Sequence, residues 1–435
     1  MKKICIIKAG CDSHIDLFRK ILKCVENKYE KVMYPDEADV IIHYACGFTQ
    51  KKLGNIFQDV AFYEKVKKDG AILIFCGCAT YGYRKEIFEE FKVIDHVIFG
   101  LDILPQIAKI LGVNQNDEQF IEINNGILRM TITEGCSKPG GYCSFCKQNY
   151  LRIPMKSKYS IEEVCKQVEY YGKPVLIISG LNTTNYGIDF GDHKPKLHKL
   201  IHEVSKIPTV KWIQVECVAS SCIYEELIEE IENNDKVVYI QYFIQSGSDH
   251  MLKEMNIGTT VAQHKKVLER LKGKIIDGAV IVGHPGETMQ DVQDTIQFIK
   301  DNNLWYTTVM KYMNSEITPS GKMEQLSEEE YHEHCSMVEY EVMKLSYLNM
   351  KRLVEQGVVG YVEKIYTFEN ALEIMVKPLE FEGYCFVPFD EKVPVNIGDK
   401  VIVHNPKIKS IKIHSFEGGT LEVIKWVFEK MLEML

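Results

Sequence analysis

Two long stretches of the chain repeat one pattern, a short run that is apolar along its whole length followed by an amphipathic segment, and this repetition restricts the possible folds most. From Met1 to about Val113 the runs KKICIIK, DVIIHY, AILIFC and HVIFG alternate with IDLFRKILKCVEN, IFQDVAFYEKVKK, RKEIFEEF and LPQIAKIL. Runs without a polar face read as strands covered on both sides, and the segments between them carry helical periodicity. The expectation is an α/β domain over residues 1–115, a parallel sheet with helices on each face.

The polar, turn-rich segment VNQNDEQFIEINNG (113–126) separates this domain from a second series of strands, ILRMTIT, PVLIIS, KWIQVEC, VVYIQYFI, IIDGAVIV and WYTTVMKYM. Helices such as SIEEVCKQVEYY and TMQDVQDTIQFIKDN fall between them. Such strand–helix units predict a partial parallel (β/α) barrel over residues 125–345, with its site at the C-terminal strand ends. The first domain is read as flavodoxin-like, and ligand sites in such sheets gather at the same end of the strands. After the helical stretch EEEYHEHCSMVEYEVMKLSYLNMKRLVEQ, short alternating strands from GVVGYVEKIY to IKSIKIH predict a small antiparallel β module over 355–435, closed by the amphipathic helix TLEVIKWVFEKMLEML.

Charge and composition narrow the function classes. The 435 residues carry 52 Lys and Arg against 61 Asp and Glu, a net charge of −9, which opposes an extended nucleic-acid footprint but allows a local basic patch. No run approaches the ~18 apolar residues of a membrane span, and MKKICIIKAGC reads as a first strand rather than a signal peptide. A cytoplasmic protein with no membrane partner is expected. Fourteen cysteines in a reducing compartment point to metal or redox chemistry rather than disulfides.

Six of those cysteines form two trios. Cys136, Cys143 and Cys146 lie in EGCSKPGGYCSFC, just after the first barrel strand, and Cys11, Cys46 and Cys78 each follow a strand of the first domain. Buried cysteines are often no more than small apolar residues, which accounts for Cys24, Cys165 or Cys335. Core packing gives no reason for cysteines to choose the same end of three successive strands. Three thiolates leave a tetrahedral site or a four-cysteine cluster one ligand short, so each trio predicts a centre with an open position. A zinc knuckle needs a fourth ligand, and no histidine or further cysteine occurs between Glu134 and Tyr159. A 4Fe–4S cluster with one free iron is therefore favoured.

In their order these motifs resemble those of the radical SAM enzymes, and among them the methylthiotransferases. GCDSHID, ADVIIHYACGF and FCGCATYGYRKE look like the three cysteine loops of that family's N-terminal domain. EGCSKPGGYCSFC, SGLNTTNYGIDFG, YFIQSGSDHMLKEMN and DGAVIVGHPGET resemble its barrel motifs, so the likeness covers most of residues 1–320. The resemblance implies that Cys136, Cys143 and Cys146 hold a 4Fe–4S cluster that chelates S-adenosylmethionine (SAM), and that Cys11, Cys46 and Cys78 hold an auxiliary 4Fe–4S cluster carrying the sulfur to be inserted. One SAM would donate the methyl group and another would yield a 5′-deoxyadenosyl radical, converting a C–H bond into C–S–CH3. Flavodoxin or ferredoxin would supply electrons.

Candidate cofactor contacts follow from position. Phe145, inside the Cys-x-x-Cys loop, is placed to cover a planar ligand. Gly180 and Asn182 end a strand where backbone and amide can meet a ligand, although a plain Gly/Asn turn also accounts for them. Gln245 and Ser246 end another strand and are candidates for the SAM ribose or carboxylate. Gly283 and Glu287 bound the GHPGE turn, where Glu287 also suits a helix start. Glu216, an acid in an apolar strand, faces either the SAM ammonium or an internal partner.

The pattern departs from the family in three places. The first gap of the radical trio holds six residues instead of three, and the arginines expected after QSGS and in the YS-type segment are Ile257 and Ser315 here. The C-terminal module compares with the small RNA-binding (TRAM-like) barrel of family members, yet residues 356–435 hold 9 Lys, no Arg and 12 Asp or Glu, a net −3, with one basic cluster at Lys407, Lys409 and Lys412. Phosphate binding asks for the opposite sign. The acceptor is thus expected to be a protein or peptide residue ahead of a tRNA nucleoside, and NTTNYGID is nearer to the branch that modifies a ribosomal protein. Two rival readings remain, a radical SAM enzyme whose auxiliary cluster transfers electrons in an oxidation or crosslink, and a non-enzymatic iron–sulfur redox sensor.

Overall fold

A computed structural model describes residues 1–9, 21–22, 24–45, 50–77, 80, 88, 91–98, 103–113, 122–123, 126–138, 140–147, 154–304, 307–368, 371–378, 382–388, 395–404, 407–413 and 416–417. The chain packs as two compact units, Met1–Glu122 and Ile123–Leu435. Among the described residues no helix is long and apolar enough to cross a membrane.

The first unit is a five-stranded parallel sheet of β1 (Lys2–Ala9), β2 (Tyr29–Lys31), β3 (Val40–Ala45), β4 (Ile72–Cys76) and β5 (His96–Val97), in the order β2-β1-β3-β4-β5. The short β2 has no apolar signature and was not expected. Successive residues enter different cores, as full apolarity requires: Ile4, Ile42 and Ile74 pack on one face with Ile103, Ile107 and Leu111, whereas Cys5, Ile41 and Phe75 pack on the other with Val60 and Tyr63. The order 2-1-3-4-5 is the flavodoxin-like doubly wound order, whose ligand crevice lies where the winding reverses, between β1 and β3. Cys11, Cys46 and Cys78 lie outside the described residues. The strands they follow in sequence, β1, β3 and β4, are neighbours in the sheet.

The second unit holds the expected parallel strands β6 (Ile127–Glu134), β7 (Val175–Gly180), β8 (Trp212–Ala219), β9 (Val237–Gln245), β10 (Ile275–Val282) and β11 (Thr307–Lys311), paired in chain order. Among the described residues the sheet ends at β11 without pairing back, the order of a partial barrel. Helix starts carry the Ser/Thr-x-x-acid/amide signal: Ser160 with Glu163, Thr260 with Gln263, Thr288 with Asp291 and Ser327 with Glu330 are reciprocal capping boxes.

An antiparallel sheet of β12 (Val358–Phe368), β13 (Ala371–Pro378), β14 (Glu382–Pro388), β15 (Lys400–Val403), β16 (Lys407–Ile413) and β17 (Phe416–Glu417) follows, in the order β15-β12-β13-β14-β16-β17. The expected C-terminal helix falls beyond the described residues. Tyr361 of β12 packs with Ile127, Val175 and Ile177, the Trp212 indole donates to the Gly398 carbonyl at 3.2 Å, and Lys211 pairs with Asp399 at 2.8 Å. A Cβ on Gly398 would sit 2.6 Å from Pro174. These contacts fall at the N-terminal ends of β6, β7 and β8. An eight-residue strand spans roughly 26 Å, so these contacts lie at the opposite end of β6 and β8 from their C-terminal ends.

Candidate functional site

At the C-terminal end of β6, Gly135 turns the chain with φ +66° and delivers Cys136. Cys143 to Cys146 form one tight turn, Cys146 N–H donating to the Cys143 carbonyl at 3.0 Å. The wide gap between them is a folded loop. Gly140 and Gly141 take φ of +76° and +91°, values at which a side chain would be strained. Lys138, only 8% exposed, donates from Nζ to the Gly141 carbonyl at 2.9 Å, and the Asn256 amide donates to the Tyr142 carbonyl at 2.9 Å.

The Cys-x-x-Cys turn is held from below. Ser144 N–H donates to the Met255 carbonyl at 2.9 Å, Ser144 Oγ donates to the Glu254 carbonyl at 2.9 Å, and Ser320 N–H donates to the Ser144 carbonyl at 3.1 Å. Burial lowers the pKa of His284 to about 4 and keeps it neutral. His284 Nδ1 lies 2.8 Å from the Pro285 carbonyl oxygen and Nε2 lies 2.7 Å from Ser320 Oγ, whose hydroxyl donates to Ser144 Oγ at 2.8 Å. Phe145 and Cys143 rest on an apolar cluster of Met251, Leu252, Met255, Ile257, Ile281 and Tyr312. Ile257, which stands where the family's arginine was expected, is part of that floor.

Burial pushes the Cys136 thiol up and raises Cys143 to about 12, against the pull of nearby Lys138. Asn182, 2% exposed, donates from Nδ2 to Cys136 Sγ at 3.5 Å and to Cys222 Sγ at 3.5 Å, and the Lys138 backbone N–H also reaches Cys136. Asn185 fixes the same loop by donating to the Ser137 carbonyl at 2.9 Å. Among the described residues no three His, Cys, Asp or Glu side chains close around a single ion; a cluster, with one iron per thiolate, asks for wider spacing. The side-chain oxygens of Asn182 and Gln245 are buried without a hydrogen-bond partner among the described residues. Gln245 is also held at φ +74°, unusual for a side-chain-bearing residue at a strand end. A Cys136 thiol that accepts N–H donors beside two further thiols, with two orphaned acceptors at the ends of β7 and β9, matches a cluster and a ligand carrying ammonium and hydroxyl donors.

Other expected contacts have protein partners. A Cβ on Gly180 would fall 2.1 Å from Thr133 Oγ1, so glycine is required there by the close approach of β7 to β6. Ser246 Oγ lies 3.1 Å from Thr295 Oγ1 and accepts the Ser248 N–H, tying the end of β9 to the helix Met289–Asp301. Glu287 accepts the Gly283 N–H at 2.7 Å and faces His334 Nδ1 at 3.0 Å. Glu216 has the internal partner: Arg129 reaches across β7 to pair with it. Asp277, an acid in an apolar run like Glu216, was not singled out; it accepts from Tyr239 at 2.7 Å and Gln241 at 3.1 Å. Lys138, Asn185, Ser320 and Cys222 carried no sequence signal, because their partners are 3 to 176 positions away and are set only by folding.

Comparison with known proteins agrees with this geometry. The Radical SAM superfamily matches residues 130–299, and the Uncharacterized protein family UPF0004 matches residues 3–100. The ribosomal protein uS12 methylthiotransferase RimO of Clostridium perfringens is 32% identical over 356 residues, 75% of this chain and 79% of its own. That of Thermoanaerobacter sp. (strain X514) is 29% identical over 433 residues, 92% of this chain and 97% of its own. Among solved structures, the radical S-adenosylmethionine methyltransferase TsrM of Kitasatospora setae, with cobalamin and a 4Fe–4S cluster bound, shares the fold with a TM-score of 0.51 at 11% identity, over 74% of each chain.

Proposed function

The chain belongs to the radical SAM methylthiotransferase family, and from that membership we propose that it methylthiolates a side chain of ribosomal protein uS12. The enzyme uses SAM and a 4Fe–4S cluster. When bound, these supply a radical able to take hydrogen from an unactivated C–H bond. The observation that carries the choice of acceptor is the 32% identity, over three quarters of the chain, to enzymes named for uS12. The net −3 of residues 356–435 favours a protein acceptor over tRNA for the same reason of charge.

In this reading Cys136, Cys143 and Cys146 hold the radical cluster. Asn182 and the Lys138 backbone direct N–H groups at Cys136, which favours its thiolate form. The Ser144–Ser320–His284 contacts hold the Cys143–Cys146 turn in place, and the orphaned oxygens of Asn182 and Gln245 take the donors of SAM. Cys11, Cys46 and Cys78 hold an auxiliary cluster for the sulfur. The test is anaerobic reconstitution with iron and sulfide, followed by incubation with SAM, a reductant and purified uS12. A uS12 peptide gaining one methylthio group in place of hydrogen is the expected product. Modification of a tRNA nucleoside in a parallel reaction given tRNA in place of uS12, with uS12 left unmodified, or a uS12 peptide that only loses hydrogens, would overturn the proposal.

A further inference from the structure

Cys222 is a fourth thiol beside the trio. It ends the short turn Ser220–Cys222 that follows β8, is 8% exposed, and belongs to none of the motifs above. Asn182 fixes its position: one amide nitrogen stands 3.5 Å from both Cys136 Sγ and Cys222 Sγ, so the two sulfurs are no more than twice that distance apart.

Its place separates Cys222 from the chain's packing cysteines: it shares the Asn182 amide with Cys136 and lies close enough to act electrostatically on both Cys136 and Cys143. Cys5 and Cys76 donate to the carbonyls of Met33 and His43, and Cys335 to that of Val282, while Cys217 donates to Gln241 Oε1 and also receives the Gly180 N–H. Cys222 and Cys136 accept N–H from one and the same amide, a contact that suits thiolates bound to metal, and Cys222 Sγ also lies 3.7 Å from Ser221 Oγ. A second observation points to a ligand at this spot. The other half of the same buried amide, Asn182 Oδ1, has no partner among the described residues, so the group between the two thiols is built to meet something beyond the protein.

We propose that Cys222 is an exchangeable fourth ligand of the cluster held by Cys136, Cys143 and Cys146, closing the open iron until SAM displaces it. The inference rests on the assignment of that trio. The exchange involves no electrons: the Cys222 thiol releases its proton when its sulfur binds iron, and takes up a proton when the SAM amino and carboxylate groups replace it. A closed four-thiolate cluster is protected from losing its exposed iron, whereas a three-thiolate cluster is not.

The test uses the full-length protein with Cys11, Cys46 and Cys78 changed to Ala, so that a single cluster forms, reconstituted without SAM. Its Mössbauer spectrum should show four sulfur-ligated irons, and mild ferricyanide oxidation should leave it intact. Adding Cys222→Ala should produce one distinct iron site and the electron paramagnetic resonance signal of a three-iron cluster after oxidation. The same variant should bind SAM about tenfold more tightly if the open form is a tenth of the parent population, a gain that misfolding does not produce. Identical spectra, oxidation and SAM affinity with and without Cys222 would overturn the proposal. Failure of the parent to load any four-iron cluster would strike the trio assignment itself, and the proposal with it.

Discussion

Lys138 shows how one side chain can shape a site that its own motif does not announce. Its ammonium is buried in the loop joining Cys136 to Cys143, close enough to favour the charged form of both thiols. A cluster with three thiolates is anionic, and a fixed positive charge nearby stabilises its reduced form. Lys138→Met is therefore expected to shift the radical cluster to a more negative reduction potential, read by potentiometric titration, while Lys138→Arg keeps it near the wild-type value. An unchanged potential in the Met variant would show that the ammonium serves the loop alone. The three cysteines around it were legible because thiol spacing is itself a chemical signal. Lys138 was not, since a lysine in a Gly/Pro loop ordinarily lies in water.

The GHPGE turn carries the same lesson at the level of an element. Gly283 stands at φ +81°, and a Cβ there would meet the Tyr331 ring at 2.6 Å. Gly283→Ala should cost about 1–3 kcal/mol, measured by denaturant unfolding, from backbone strain together with displacement of the Tyr331 ring. Glu287 closes the turn, and burial raises its carboxyl to about 8, while burial lowers His334 despite the 3.0 Å contact. Both shifts favour a neutral pair. An acid with a raised pKa holds its proton more tightly in the folded state, so its contribution to stability is greatest below the unfolded value of about 4.5 and falls as pH rises toward 8. Glu287→Gln should lack this dependence and gain on the wild type across that window. Parallel unfolding curves at pH 5 and pH 8 would contradict it. Glu287, a candidate ligand or helix-start residue by sequence, directly precedes the Thr288 cap of the helix Met289–Asp301 and closes its turn against a helix that begins 41 residues later, at Glu328.

For the whole molecule, buried imidazoles set the acid limit. His43 in the first unit and His264 and His284 in the second are each pushed down to about 4 by burial. Each is neutral when folded and takes a proton more readily when unfolded. Stability is therefore complete above about pH 6.5 and is lost as pH falls toward 4. Since both units hold such a residue, each should lose stability in that interval, followed by circular dichroism and tryptophan fluorescence. Retention of full stability at pH 4 would refute this origin.

Periodicity and motif order determined a great deal before any fold was in view: two parallel α/β layers, an antiparallel module and a thiol trio at a strand end. Those features are local or repeat along the chain, so a linear reading captures them. Contacts between distant strands settled the remainder. Arg129 claims Glu216 across an intervening strand, Thr133 explains Gly180, and Asn182 brings Cys222 beside Cys136. Each depends on which strand ends become neighbours and how closely they approach, and packing decides that after the chain has closed on itself.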